Sequence, residues 1–284
     1  MLSNRKKQFI KSIILFFATT SVFAQEEIKT GWKNTATGNL NFSQSSFSNW
    51  KQGGESTWAW QLDINGKLAY IAKKFDWVTT SKLSYGRTKI GDLESKKSAD
   101  EIRLESVLTY KAGAYVNPYF AVTGETQLTQ GYDFAKTPKE KISQIFDPAY
   151  FTESIGLGYE PIKDLKTRFG LAFKQTVADE FAARYSDDPE TQKIEKLRSE
   201  IGAESVTDFS KKLHENILFT TKLELFSTLK SAKEIDVRWD NVFTAKITKY
   251  IGVSFNFKLL YDRDISIKRQ IKQVLGVGVI YSFL

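Results

Sequence analysis

The sequence predicts an all-β protein: a single antiparallel, up-and-down transmembrane β-barrel of about twelve strands. Three observations carry that prediction. Apolar and polar residues alternate with period two almost to the last residue, and a strand sends alternate side chains to opposite faces of its sheet. The chain opens on an export signal. The connections between the alternating runs fall into two classes that themselves alternate, one tight and one longer and more charged. An even strand count with short turns at one end and long loops at the other is the pattern of an outer-membrane barrel.

Residues 1–24 come first. Arg5, Lys6, Lys7 and Lys11 form a basic start, Ile13 to Ala18 a short apolar run, and Val22 and Ala24 the small residues before a cleavage site at Gln25. This reads as a cleaved signal peptide, because the apolar run falls far short of the roughly 20 residues that span a bilayer as a helix. Its removal lowers Lys+Arg from 41 to 37 against 33 acidic residues, so the formal charge of +8 becomes +4. Half of the basicity is therefore export signal, and no nucleic-acid partner is expected. The absence of cysteine excludes a Cys-linked lipid anchor and a disulfide framework.

Residues 25–284 then read as one barrel domain, with strands near 33–46, 55–72, 75–91, 99–112, 116–134, 149–160, 165–182, 199–212, 215–230, 234–248, 250–265 and 269–284. The second is the clearest. Trp58, Trp60, Leu62, Ile64, Leu68 and Tyr70 share one parity, and Thr57, Gln61, Asp63, Asn65 and Lys67 the other. In the fourth, Ile102, Leu104, Leu108 and Tyr110 oppose Arg103, Glu105, Thr109 and Lys111. Phe169, Leu171 and Phe173 oppose Arg168 and Lys174 in the seventh, and Phe219, Leu223 and Leu225 oppose Thr220, Lys222 and Glu224 in the ninth. Val237, Trp239 and Phe243 stand against Arg238, Asp240, Thr244 and Lys246, and Phe255, Phe257 and Leu259 against Asn256 and Lys258. The last run, Leu275, Val277, Val279, Tyr281 and Phe283, completes the apolar face.

A closed barrel is what lipid demands of such strands, since it pairs every backbone amide and leaves no edge. With both termini periplasmic, the tight turns lie on that side and the long loops face outward. Aromatics mark both ends, with Trp32, Phe75, Trp77, Tyr110, Tyr159 and Tyr250 at the turn side and Trp58, Tyr132 and Trp239 at the loop side. The partners implied are outer-membrane lipid and, during biogenesis, the barrel-assembly machinery.

Parity places a mixed-charge set in the lumen: Asp63, Lys67, Lys82, Arg103, Glu105, Lys111, Glu125, Arg168, Lys174, Glu204, Lys222, Glu224, Arg238, Asp240, Lys246, Lys258, Asp262 and Lys272. Charges in a low-dielectric tube must be paired or solvated. They either form a salt-bridged plug or line a narrow watery passage for small solutes. Twelve strands exceed the roughly eight whose side chains alone fill a barrel, which favours a channel or a solute-binding lumen, with a modest positive excess favouring anions.

The first long loop carries Phe47, Asn49, Trp50, Gly53 and Gly54 in the segment FSNWKQGGE. The glycines supply positive φ, and the two aromatics are expected to fold back onto the rim. Following a signal peptide and the strand GNLNFSQSSF, this segment resembles a family of exported, outer-membrane β-barrel-like proteins of unknown function common in Bacteroidota, which share Phe-x-Asn-Trp-x-x-Gly-Gly. The resemblance implies a barrel and an outer-membrane address, and it brings no catalytic residues. The chain ends Tyr281-Ser282-Phe283-Leu284, one residue past the terminal aromatic usual for such strands.

No cofactor, metal or enzymatic site is expected. His214, the single histidine, falls in a predicted turn far from the rim, and no Gly-x-Ser-x-Gly motif is present. Asp187, Asp188 and Glu190 look like metal ligands, but Asp188 before Pro189 reads as the cap of a short helix over PETQKIEKLRSE. Two other functions stay open: a structural or accessory subunit of an outer-membrane complex, and a hydrolase with carboxylates at the outer rim, which leaves no linear motif.

Overall fold

A computed structural model describes residues 30–188, 191–230, 235–263 and 266–283. The signal-peptide expectation for residues 1–24 lies outside the described residues, as do Pro189, Glu190 and Leu284.

Twelve strands close into one antiparallel barrel. In chain order these are β1 (Gly31–Ser45), β2 (Thr57–Ile71), β3 (Phe75–Ile90), β4 (Lys96–Tyr110), β5 (Val116–Thr126), β8 (Ala149–Ile162), β9 (Leu165–Val177), β10 (Leu197–His214), β11 (Ile217–Thr228), β12 (Ile235–Lys246), β13 (Ile251–Tyr261) and β14 (Gln270–Ser282). Two short strands, β6 (Gly131–Asp133) and β7 (Glu140–Ser143), pair with each other in the loop between β5 and β8. Neighbours in sequence are neighbours in the sheet, and β14 returns to β1 with Thr37 opposite Ser282 and Asn41 opposite Gly278. The tight connections are 72–74, 111–115, 163–164, 215–216 and 247–250, all at one end; 46–56, 91–95, 127–148 and 178–196 lie at the other.

The molecule is built inside out. Leu171, Ile201 and Leu275 are 59%, 60% and 72% exposed, while Glu105, Arg168 and Glu204 are 6–9% exposed. Outward apolar residues cover the barrel wall, and ring contacts such as Trp32–Tyr70 at 5.2 Å and Phe219–Phe243 at 4.7 Å tie adjacent strands near the turn end. Glu153 breaks this pattern. It is on the outward face of β8, opposite Val122 and Phe173, and one carboxylate oxygen is buried without a hydrogen-bond partner.

Four expectations need correction. The fifth strand ends at Thr126, not 134, because the Asp100 carboxylate accepts the Leu128 and Thr129 N–H groups and draws the chain off the barrel. Tyr132 therefore belongs to the β6–β7 hairpin and not to a rim aromatic belt. The seventh strand stops at Val177, and the helix of this region, α1, is Ala182–Tyr185. Leu197–Glu200, expected to end that helix further along, pairs instead with β9 from Val177 to Lys174. Pairing satisfies each backbone group, and as i, i+2 neighbours on one face of β10 Arg198 holds Glu200 at 3.3 Å.

Candidate functional site in the barrel lumen

The registers give the geometry of the interior. Asp63 faces Ser84 across β2–β3, Lys82 faces Arg103, Arg103 faces Glu125, and Glu224 faces Arg238. Since parity is shared across antiparallel neighbours, these residues lie on one continuous face. Contacts between strands far apart in the ring show that this face is the inside.

β4 and β12 stand on opposite sides of the twelve-strand ring, yet Arg238 on β12 donates to Glu101 on β4 at 2.5 Å. Arg238 also holds Glu125 at 2.5 Å and Asp240 at 3.1 Å. Arg103 binds Glu125 at 2.8 Å on its own side and Glu224 at 2.5 Å across the lumen. Glu105 takes Arg168 and Lys222 from two further strands, and Arg168 also lies 3.5 Å from Glu204. Lys258 and Lys82 close on Glu101 at 2.8 and 3.4 Å. Long cationic side chains thus form a bar of ion pairs across a barrel too wide for aliphatic filling. Tyr119, 4% exposed, packs beneath it with its ring 5.8 Å from the Arg168 guanidinium carbon.

Beyond the bar, Asp63 accepts hydrogen bonds from Gln61 and Ser84 at 2.9 and 2.6 Å. Lys111 pairs with Asp76 at 2.6 Å near the turn end. Lys67 and Lys246 face the turn-end half of the lumen and Lys272 the loop-end half, outside the bar. Lys174 sits between Asp236 at 2.6 Å and Asp262 at 3.3 Å, with its ammonium 5.2 Å from the centre of the Phe226 ring. These last residues, with Tyr150, Arg103, Glu125, Glu204 and Arg238, line a lumen cavity of about 240 Å³ on the loop side of the bar. A hydrolase built on rim carboxylates finds Asp236 and Asp262 already occupied by Lys174.

A family described as "Protein of unknown function (DUF3078)" matches residues 42–132, which is less than half of the chain and includes the Phe47–Gly54 segment. No curated protein matches the chain. Among solved structures, the chain is similar to the translocator domain of autotransporter NalP from Neisseria meningitidis, at 10% identity, 97% and 94% coverage of the two chains and a TM-score of 0.41. It is similar also to the NanC porin, at 9% identity, 86% and 98% coverage and a TM-score of 0.40. An outer membrane channel from Pseudomonas putida F1 gives 9%, 89% and 95%, and 0.39. Similarities this weak leave function to be argued from the barrel's own geometry.

Glu101 and Asp236 escaped the sequence reading although each extends a recognised alternation by one step, Glu101 ahead of Ile102 and Asp236 ahead of Val237. Tyr150 and Phe226 escaped because an aromatic on the polar parity carries no mark of facing inward. In the first long loop, Gly53 and Gly54 take φ of 86° and 122° and Asn49 takes 54°. Phe47 lies over Gly54, where a Cβ would come within 2.9 Å of its ring. Phe47 is 41% and Trp50 57% exposed.

Loops 91–95, 127–148 and 178–196 brace one another over one side of the mouth. The buried Asp147 carboxylate accepts the N–H groups of Asp179 and Glu180 at 3.0 and 2.8 Å. Lys139 at 2.6 Å holds the Glu94 carboxyl below its usual range. Burial pushes the Tyr185 phenol up, with Arg184 opposing. His214 ends β10 at a bulge opposite Ile217. Among the described residues no group of acidic side chains, His or Cys is placed to hold a metal ion.

Proposed function

We propose that this chain is an exported outer-membrane barrel, with its termini and tight turns in the periplasm, that binds a small solute in the loop-end half of its lumen and is closed at mid-depth by ion pairs. A wall of exposed apolar side chains on strands of 11 to 18 residues supports the membrane address, since about 9–11 residues of tilted strand span the hydrocarbon and soluble proteins rarely expose such a continuous surface.

The observation that carries the closed-lumen reading is the bar from β4 to β12, Glu101 to Arg238, flanked by Arg103–Glu224. An open channel keeps its charges solvated; here both signs are spent on each other across the diameter. The cavity above the bar is left as the place for a solute.

The test is planar-bilayer conductance of the refolded mature chain. The expected result is no stable conductance for the wild type, and conducting steps once Glu101→Gln, Arg103→Gln, Glu105→Gln and Glu125→Gln together remove the ion pairs that cross the lumen. Stable wild-type conductance would refute closure and return the protein to the class of narrow channels.

A further inference from the structure

We propose that the lumen cavity takes a small organic cation: an ammonium group carried on an aromatic or aliphatic body. This rests on the solute-binding reading above and assigns the class of solute.

Charge comes first. Five carboxylates and three cations line the cavity, so its lining is net acidic even though the whole chain is net basic. The cations are already engaged. Arg103 and Lys174 each bind two carboxylates, and Arg238 binds more. An incoming anion would have to break those pairs and enter a lining with two more negative than positive groups, whereas the net charge of the lining favours an incoming cation.

Among the described residues Glu204 is the one lining carboxylate with a buried oxygen left unpaired, which a solute ammonium reaches if the side chain turns toward the cavity. It is 9% exposed and lines the cavity, one oxygen is 3.5 Å from Arg168, and the other oxygen is buried with no hydrogen-bond partner. A buried acceptor without a donor is costly, and an ammonium supplies three donors.

Lys174 indicates which donor the site suits. Its primary ammonium is held by Asp236 and Asp262 and lies over the Phe226 face, a combination of carboxylate and aromatic ring that also recognises free alkylammonium groups. Phe226 and Tyr150 give the body of such a solute an aromatic wall. A cavity of about 240 Å³ has room for a compact solute. Entry is from the loop end, because Asp236 and Gln270 in the lining lie at the loop-end starts of β12 and β14.

Isothermal titration of the refolded mature barrel in zwitterionic detergent, with benzylammonium, benzyl alcohol and benzoate as matched probes, tests the assignment. Benzylammonium should bind saturably and at least tenfold more tightly than benzyl alcohol, with no heat from benzoate. Glu204→Gln should weaken benzylammonium at least tenfold; if that variant does not fold, Phe226→Leu, which removes the aromatic wall, should weaken it as well. Benzoate binding above benzylammonium would overturn the cation assignment while leaving a solute-binding lumen standing. Equal binding of amine and alcohol, no loss in the folded variant, or no binding of any probe would also overturn it. Only the last of these, joined to wild-type conductance, would take the solute-binding reading down with it.

Discussion

Replacing Arg238 by methionine removes the keystone of the lumen bar while nearly conserving side-chain length. The Arg238 side chain is 15% exposed, with Glu101 and Glu125 each at 2.5 Å and Asp240 at 3.1 Å. Removing one partner of a buried pair costs roughly 3–5 kcal/mol, because the surviving charge stays desolvated without compensation. Here the compensation is partly retained: Glu101 keeps Lys258 at 2.8 Å and Lys82 at 3.4 Å, and Glu125 keeps Arg103 at 2.8 Å. The lower end applies, about 3 kcal/mol. At ~2–4 °C per kcal/mol for a domain of this size, the melting temperature should fall by about 6–12 °C. The assay is the temperature at which the fast-migrating folded band on unboiled gels is lost. Arg238→Met/Glu125→Met should melt above the single variant, because Glu125 is left with Arg103 alone and Arg103 itself keeps Glu224 at 2.5 Å, with a coupling energy of roughly 0.5–3 kcal/mol. A single variant that melts with the wild type, or a double variant that melts below the single, would refute the reasoning that these pairs act as a unit.

Two further outcomes test parity and orientation. Ile64, on the outward face midway along β2, should tolerate lysine poorly, since a lipid-facing Lys near the midplane costs roughly 2–4 kcal/mol. Lys67→Glu, on the inward face and exposed to the lumen, should assemble almost normally; the opposite pattern in a membrane-insertion assay would exchange inside and outside. Cysteines introduced at Lys96, Lys139 and Glu195 should label from outside intact cells, and those at Lys73, Lys163 and Glu215 should not. Reversed labelling would place the long loops in the periplasm.

The sequence by itself determined the strands and their faces. Alternation from Thr57 to Tyr70 specifies which side of β2 is wet without reference to any partner, because the period of two is a property of the extended backbone. Closure of the sheet also followed, since lipid tolerates no unpaired edge. What lay beyond local pattern was set by tertiary structure. Arg238 and Glu101 are 137 residues apart in sequence, and nothing in either strand says that they meet; their heights depend on register accumulated through every intervening strand and on the seam from Thr37–Ser282 to Asn41–Gly278. The departure of residues 127–148 from the barrel was equally hidden, because a single carboxylate, Asp100, competes there with the sheet for two backbone amides. Parity can sort charges to the lumen, but only the closed ring decides which opposite charges are within reach, and so whether twelve strands enclose a passage or a bar with a cavity above it.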